Sequence, residues 1–196
     1  QLVIDSLKRE GVDTMYSLPG DPGGDIVNGW AEAGMRMISV RHEQTAGMAA
    51  QAHSYFTRSV GVCVAASGVG QTNTLTAIAN AQVNCWPLLV IGGASELRRR
   101  NMGDFQELAQ LESTAPLCKW AYTVESTERI PTLINIAMRE ALAGRPGPVY
   151  LDLPADMITT KVDESIVEIP EPHSEPARPL AEPEKIKQAL KVLKEA

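Results

Sequence analysis

The sequence predicts a doubly wound α/β fold, a mostly parallel sheet with helices on both faces, and three observations carry that prediction. Short strand-like runs alternate with helical runs of about 10–15 residues, the pattern of successive βαβ units. The runs VGVCVAA and WPLLVI are almost unbroken apolar stretches, as strands covered on both faces are. Glycine-rich turns, PGDPGG, SGVGQ and GGAS, close three of the first four strands.

The elements follow in order. Leu2, Ile4, Leu7 and Val12, separated by polar residues, define a first amphipathic helix, and a strand over 14–18 runs into Pro19-Gly20-Asp21-Pro22-Gly23-Gly24. A helix over 25–33, a strand over 35–40, a helix over 43–57 and a strand over 60–66 come next. Beyond the turn Ser67-Gly68-Val69-Gly70, a single helix is expected over 71–83, then a strand over 88–91 that stops at Gly92-Gly93. An irregular stretch over 97–116 precedes a strand over 119–124, a helix over 127–142 capped by Ser126 and Gly144, and a last strand over 148–153. Five of the 13 prolines then fall within 170–183, which marks an extended linker. The organisation expected is a domain over 1–163, a linker over 164–183, and over 184–196 the first helix of a truncated second domain. Gln1 stands directly in one helical pattern and Ala196 in another, so both ends are expected to be cut.

Composition narrows the function. The 196 residues are 44% hydrophobic and 21% charged, which excludes a disordered chain. A net charge of -6, with no basic cluster beyond Arg98-Arg99-Arg100, argues against a nucleic-acid partner. No apolar run approaches the roughly 20 residues that span a bilayer, so no membrane role is expected. Cys63, Cys85 and Cys118 are odd in number and too scattered for a disulfide framework or a zinc site, which fits a cytoplasmic protein.

In open α/β sheets ligands bind outside the carboxyl ends of the strands, so the turns there are the places for chemistry. SGVGQTN reads G-x-G-x-x-N; it lacks the third glycine of a dinucleotide loop and the acidic residue about 20 positions on, and a Walker pattern is absent. RHEQ is more telling. Glu43 opens a helix whose next residues, Thr45-Ala46-Gly47-Met48-Ala49-Ala50, are small and mostly apolar, so its carboxylate abuts a close-packed interior and is placed to exchange a proton. The plainer alternative is a first-turn glutamate satisfying free amides and the helix dipole. His42 reads as a packing or hydrogen-bonding residue, His53 and His173 are too isolated for a site, and Met15, Met35, Met37 and Met48 read as core filler.

Taken together, PGDPGG, RHEQTAGMAA, VGVCVAASGVGQTN, NCWPLLVIGG, GDFQE and GRPGPVYLDLPADM, in that order from residue 1 to about 160, resemble the N-terminal pyrimidine-binding domain of thiamine-diphosphate enzymes. Asn84 to Gly93 with Ser95-Glu96, and Met102-Gly103 with Phe105-Gln106-Glu107, resemble 2-hydroxyacyl-CoA lyases and oxalyl-CoA decarboxylases in particular. The resemblance implies a lyase or decarboxylase acting on a 2-hydroxyacyl-CoA or oxalyl-CoA. It implies thiamine diphosphate as cofactor, with Mg²⁺ bound by a domain outside this sequence, and a homodimer or homotetramer. Glu43 would hydrogen-bond N1′ of the aminopyrimidine and favour the imino tautomer that takes the proton from C2 of the thiazolium. Gly20, Gly68, Gly70 and Asn73 would line the cofactor, and Asp21, Phe105 and Gln106 would face substrate.

Asp21 departs from the lyase pattern, where an apolar residue follows the glycine; PGD is similar to 2-oxo-acid decarboxylases, but their paired histidines are replaced here by Phe105-Gln106. Asp21 therefore reads either as a turn residue in a Pro-Gly loop or as a substrate-side acid/base. The alternatives to a CoA lyase are an acetolactate synthase or 2-oxo-acid decarboxylase, and a non-catalytic remnant that only dimerises.

Overall fold

Strand alternation sorts the core into two layers. In the computed structural model, which describes residues 1–173, 176–177 and 179–196, Met15, Val62, Val64, Leu89, Ile91, Val149, Leu151 and Leu153 face one side of the sheet and Cys63, Leu88, Val90 and Tyr150 the other. The sheet comprises β1 (Thr14–Ser17), β2 (Arg36–Ser39), β3 (Gly61–Ala65), β4 (Leu88–Ala94), β5 (Trp120–Thr123) and β6 (Pro148–Pro154). All five pairings are parallel, in the order β2-β1-β3-β4-β6-β5, so the sheet expected to be mostly parallel is wholly so.

The first layer is closed by α1 (Leu2–Arg9), α2 (Gly24–Glu32) and α7 (Ile130–Leu142), which bring Leu7, Ile26, Trp30, Leu133 and Met138 onto the sheet. Trp30 is fully buried and donates its indole N–H to the Arg36 carbonyl at 2.9 Å. α1 stops three residues before Val12 because Gly11 turns the chain at φ 80°. The second layer is closed by α3 (Glu43–Thr57) and α5 (Leu75–Asn84), with α6 (Gln110–Thr114) beside them.

Three further local expectations are corrected. The helix expected over 71–83 is two, α4 (Val69–Thr72) and α5, because Thr74 returns to the Gln71 carbonyl through both its amide (2.9 Å) and its hydroxyl (2.7 Å), interrupting the i→i−4 ladder. Gly92-Gly93 is not a turn but the continuation of β4, where a Cβ on Gly92 would strike the Tyr150 hydroxyl and one on Gly93 would come within 2.7 Å of Pro22. Ser126 does not cap the helix after it: a short 3-10 segment, Thr127–Arg129, leads into α7 instead. Past β6 lie a short α8 (Ala155–Thr159) and an irregular segment, in which His173 Nδ1 meets the buried Glu10 Oε2 at 2.5 Å and its amide reaches the same oxygen at 3.1 Å. Ser174, Glu175 and Arg178 of the expected linker lie outside the described residues. α9 (Pro183–Glu195) contains no buried residue.

Candidate active site

The strand order places the crevice. β2 lies to one side of β1 and β3 to the other, so the chain reverses its winding between β1 and β3, and the loops leaving their carboxyl ends part there. Those loops are Leu18 to Gly23 and Ala66 to Gly68, and α3 begins beside them after β2. They are locked together: Ser67 donates its amide to the Asp21 carbonyl at 3.0 Å, and Gly20 packs so closely on Ala66 that a Cβ would stand 2.8 Å from the alanine methyl. The Asp21–Pro22 peptide is cis.

Glu43 lies in this crevice, 8% exposed, at the first position of α3. The helix does not use it as a cap. His42 performs that task, its Nδ1 accepting from the Gln44 amide at 3.2 Å, so the plainer role considered for Glu43 belongs to its neighbour. Asn73 Nδ2, brought round by α4, donates to Glu43 Oε2 at 3.0 Å. Oε1 takes no hydrogen bond among the described residues and faces Gly70, where a Cβ would lie 3.2 Å away and 3.0 Å from Ala66. The bare backbone there keeps a side chain off one oxygen of a buried, oriented carboxylate, which is left able to share a hydrogen bond with a ring nitrogen. Beneath it, Cys63 is fully buried, and burial followed by the Glu43 charge pushes its thiol up to about 12; burial likewise raises Cys118 to about 12. Neither is a nucleophile near neutral pH.

The other expected site residues fall at the same edge with different surroundings. Gly68 is needed by its own backbone (φ 60°) and by the Gln106 carbonyl, which a Cβ would approach to 2.5 Å. Gln106 itself adopts φ 49°, and its Oε1 lies 3.5 Å from the Ser67 hydroxyl. Phe105 is exposed, and so is the Asp21 side chain. The loop carrying Phe105 and Gln106 is wrapped around Glu107, whose carboxylate accepts from the amides of Asn101, Gly103 (2.9 Å) and Asp104 (3.2 Å); those hydrogen bonds hold it below the usual carboxylate range. Sequence reasoning passed over Ser67, which ties the two loops, and Gln110, which lies beneath the Gly68 turn. The only signal for Gln110 was a glutamine amid apolar positions in Leu108-Ala109-Gln110-Leu111. Among the described residues no group of three or more His, Cys, Asp or Glu is placed to hold a metal ion, and no helix is long and apolar enough to cross a membrane.

The profile of the thiamine pyrophosphate enzyme N-terminal TPP binding domain matches residues 1–113. The chain belongs to this family. Over 196 residues it is 37% identical to 2-hydroxyacyl-CoA lyase 1 of Mus musculus, covering all of this chain and 34% of that protein. Over 199 residues it is 35% identical to oxalyl-CoA decarboxylase of Escherichia coli (strain K12), covering 35% of that protein. An acetolactate synthase large subunit of Mycobacterium tuberculosis is 38% identical over 156 residues, 80% of this chain and 28% of the relative. The chain thus spans about a third of the length of these curated relatives. Membership of the thiamine pyrophosphate family agrees with the sequence reading.

Proposed function

We propose that this chain is the cofactor-activating part of a thiamine-diphosphate-dependent carbon–carbon lyase or decarboxylase acting on a 2-hydroxyacyl-CoA or oxalyl-CoA. One observation carries the reading: Glu43 is buried, oriented by Asn73, released from helix capping by His42, and left with one carboxylate oxygen facing a glycine at the topological switch point. When bound, thiamine diphosphate supplies the stabilisation of carbanions. The chain's residues do the rest. Asn73 fixes the carboxylate plane through Oε2, Gly70 would leave the Oε1 side free for the aminopyrimidine, and Glu43 would hold a proton between Oε1 and a ring nitrogen at the amino terminus of α3. Low exposure keeps water from competing for that hydrogen bond.

The CoA substrate class is supported by the names of the lyase and decarboxylase relatives. A second reading, an acetolactate synthase or 2-oxo-acid decarboxylase, is favoured by the exposed Asp21 carboxylate at the same edge and by the synthase relative. Exposed Val69, Met102, Phe105 and Leu108 on or beside the loops of this edge support assembly as a homodimer or homotetramer, with Mg²⁺ held by another domain. A cytoplasmic location, a domain over 1–163, a linker over 164–183 and a second domain opening at 184–196 belong to the same proposal. A remnant that only dimerises is the remaining alternative, and the test separates it. In the enzyme containing this chain, Glu43→Gln should slow hydrogen–deuterium exchange at cofactor C2, followed by NMR, by about 10²–10⁴. An unchanged exchange rate would overturn the assignment.

A further inference from the structure

We infer that Gln110 is a positioning residue for the Glu43 site, holding the Gly68 turn, and through it Asn73 and Gly70, in register with the Glu43 carboxylate. The inference rests on the reading of Glu43 given above.

Gln110 is 3% exposed, yet both ends of its amide are engaged across the carboxyl edge of the sheet. Its Oε1 accepts from the Gly68 amide. Its Nε2 reaches the Gly93 carbonyl and the Tyr150 hydroxyl, each at 3.0 Å, and Asp152 Oδ1 at 2.8 Å. Those acceptors are themselves fixed. Tyr150 donates to Asp152 Oδ1 at 2.7 Å, Thr123 donates to Oδ2 at 3.2 Å, and Tyr150, Asp152 and Thr123 are all buried. One side chain therefore ties the turn after β3 to strands β4 and β6.

On its other side the turn is anchored by Ser67, whose amide bonds the Asp21 carbonyl at 3.0 Å. Gly68 sits at φ 60°, ψ −111°, outside the basins of ordinary residues, and from it Thr72 and Asn73 close the first turn of α4 onto the Gly68 and Val69 carbonyls at 3.0 and 3.1 Å. That turn delivers Asn73 to Glu43 Oε2 and Gly70 to the face of Oε1. With the Gly68 amide unpaired, the turn would re-form its bonds with water, and the two groups that orient Glu43 would shift with it. Gln106, whose carbonyl and Cβ crowd Gly68, belongs to the same segment as Gln110, so the loop expected to face substrate and the carboxylate expected to face cofactor share this anchor.

The test uses the full enzyme. In Gln110→Met, which keeps the volume and removes both hydrogen-bonding ends, the Gly68 amide of the cofactor-free enzyme should lose protection by at least ~10-fold, read by mass spectrometry on a peptide spanning 66–74. C2 exchange of bound thiamine diphosphate should slow by about 10-fold or more, the scale of a small misplacement in a catalytic array. Gln110→Glu keeps the acceptor for Gly68 but sets a carboxylate against Asp152, and should be slow as well. Adding Asp152→Asn turns the acceptor at 152 into a donor and removes the like-charge contact, but leaves the Gly93 carbonyl without its donor, so C2 exchange should recover in part, by at least about 3-fold over Gln110→Glu.

Slowed exchange with lost Gly68 protection, and rescue in the double variant, support the inference. A folded Gln110→Met with unchanged C2 exchange, alongside a slow Glu43→Gln, overturns the role of Gln110 and leaves Glu43 standing. Unchanged exchange in Glu43→Gln overturns the site reading and this role with it. If Gln110→Met does not fold, the double variant decides: folded but no faster than Gln110→Glu, it overturns the inference. A wild-type Gly68 amide without protection overturns it outright.

Discussion

Backbone and side chain part company at Asp21. The carbonyl holds the turn, accepting the Ser67 amide at 3.0 Å, while the carboxylate is exposed and makes no hydrogen bond among the described residues. Asp21→Asn should therefore leave stability within about ±0.5 kcal/mol, as a surface change does. If the carboxylate handles substrate protons, kcat should fall by about 10²-fold with KM changed far less. We expect that outcome; unaltered kcat in steady-state assays would leave Asp21 a turn residue only. Glu43 was legible because its signal is local: a carboxylate followed at once by small residues. Its orientation was not, because Asn73 stands 30 positions away and reaches it only through the break between α4 and α5. Gln110 was illegible for the same reason, with partners 17 to 42 positions distant.

At the scale of elements, α3 explains why its first half is built from small residues. It lies between β3 and α5 at distances that only glycine permits: a Cβ on Gly61 would collide with the Ala50 carbonyl, and one on Gly47 would stand 2.6 Å from the Ala77 methyl. Gly47→Ala should cost about 1–3 kcal/mol by overpacking, seen as a lower denaturant midpoint with an unchanged slope. An unshifted midpoint would mean that α3 has slack the packing does not show. The strands and α3 were readable from periodicity, because apolar runs and small-residue stripes are local records of burial. Gly92-Gly93 misled because glycine serves two ends: it frees a turn, and it admits a close neighbour, here Tyr150 and Pro22 from elsewhere in the chain. Only the second applies in β4.

For the whole molecule, parallel pairing follows from alternating elements, but the insertion of β6 between β4 and β5 does not, since nothing local tells a strand which neighbour to choose. The arrangement predicts how the chain behaves alone. The glycine turn most like a phosphate loop already commits its Gly68 amide to Gln110, and the described residues gather no metal-binding cluster. Calorimetric titration of the 196-residue chain with thiamine diphosphate and Mg²⁺ should show no sub-micromolar binding; tight binding would reveal a diphosphate site within it. The contact between His173 and Glu10 also measures out a leash. Pro183 stands ten positions beyond His173 and 24 beyond Thr159, where α8 ends. At a full stretch of about 3.4 Å per residue, the anchor confines α9 to ~35 Å from Glu10 instead of ~80 Å from α8. A short tether raises the encounter frequency between its two ends. The apolar edge of Ile186, Leu190 and Leu193 is thereby held within the neighbourhood of α1 and α7 before any packing begins.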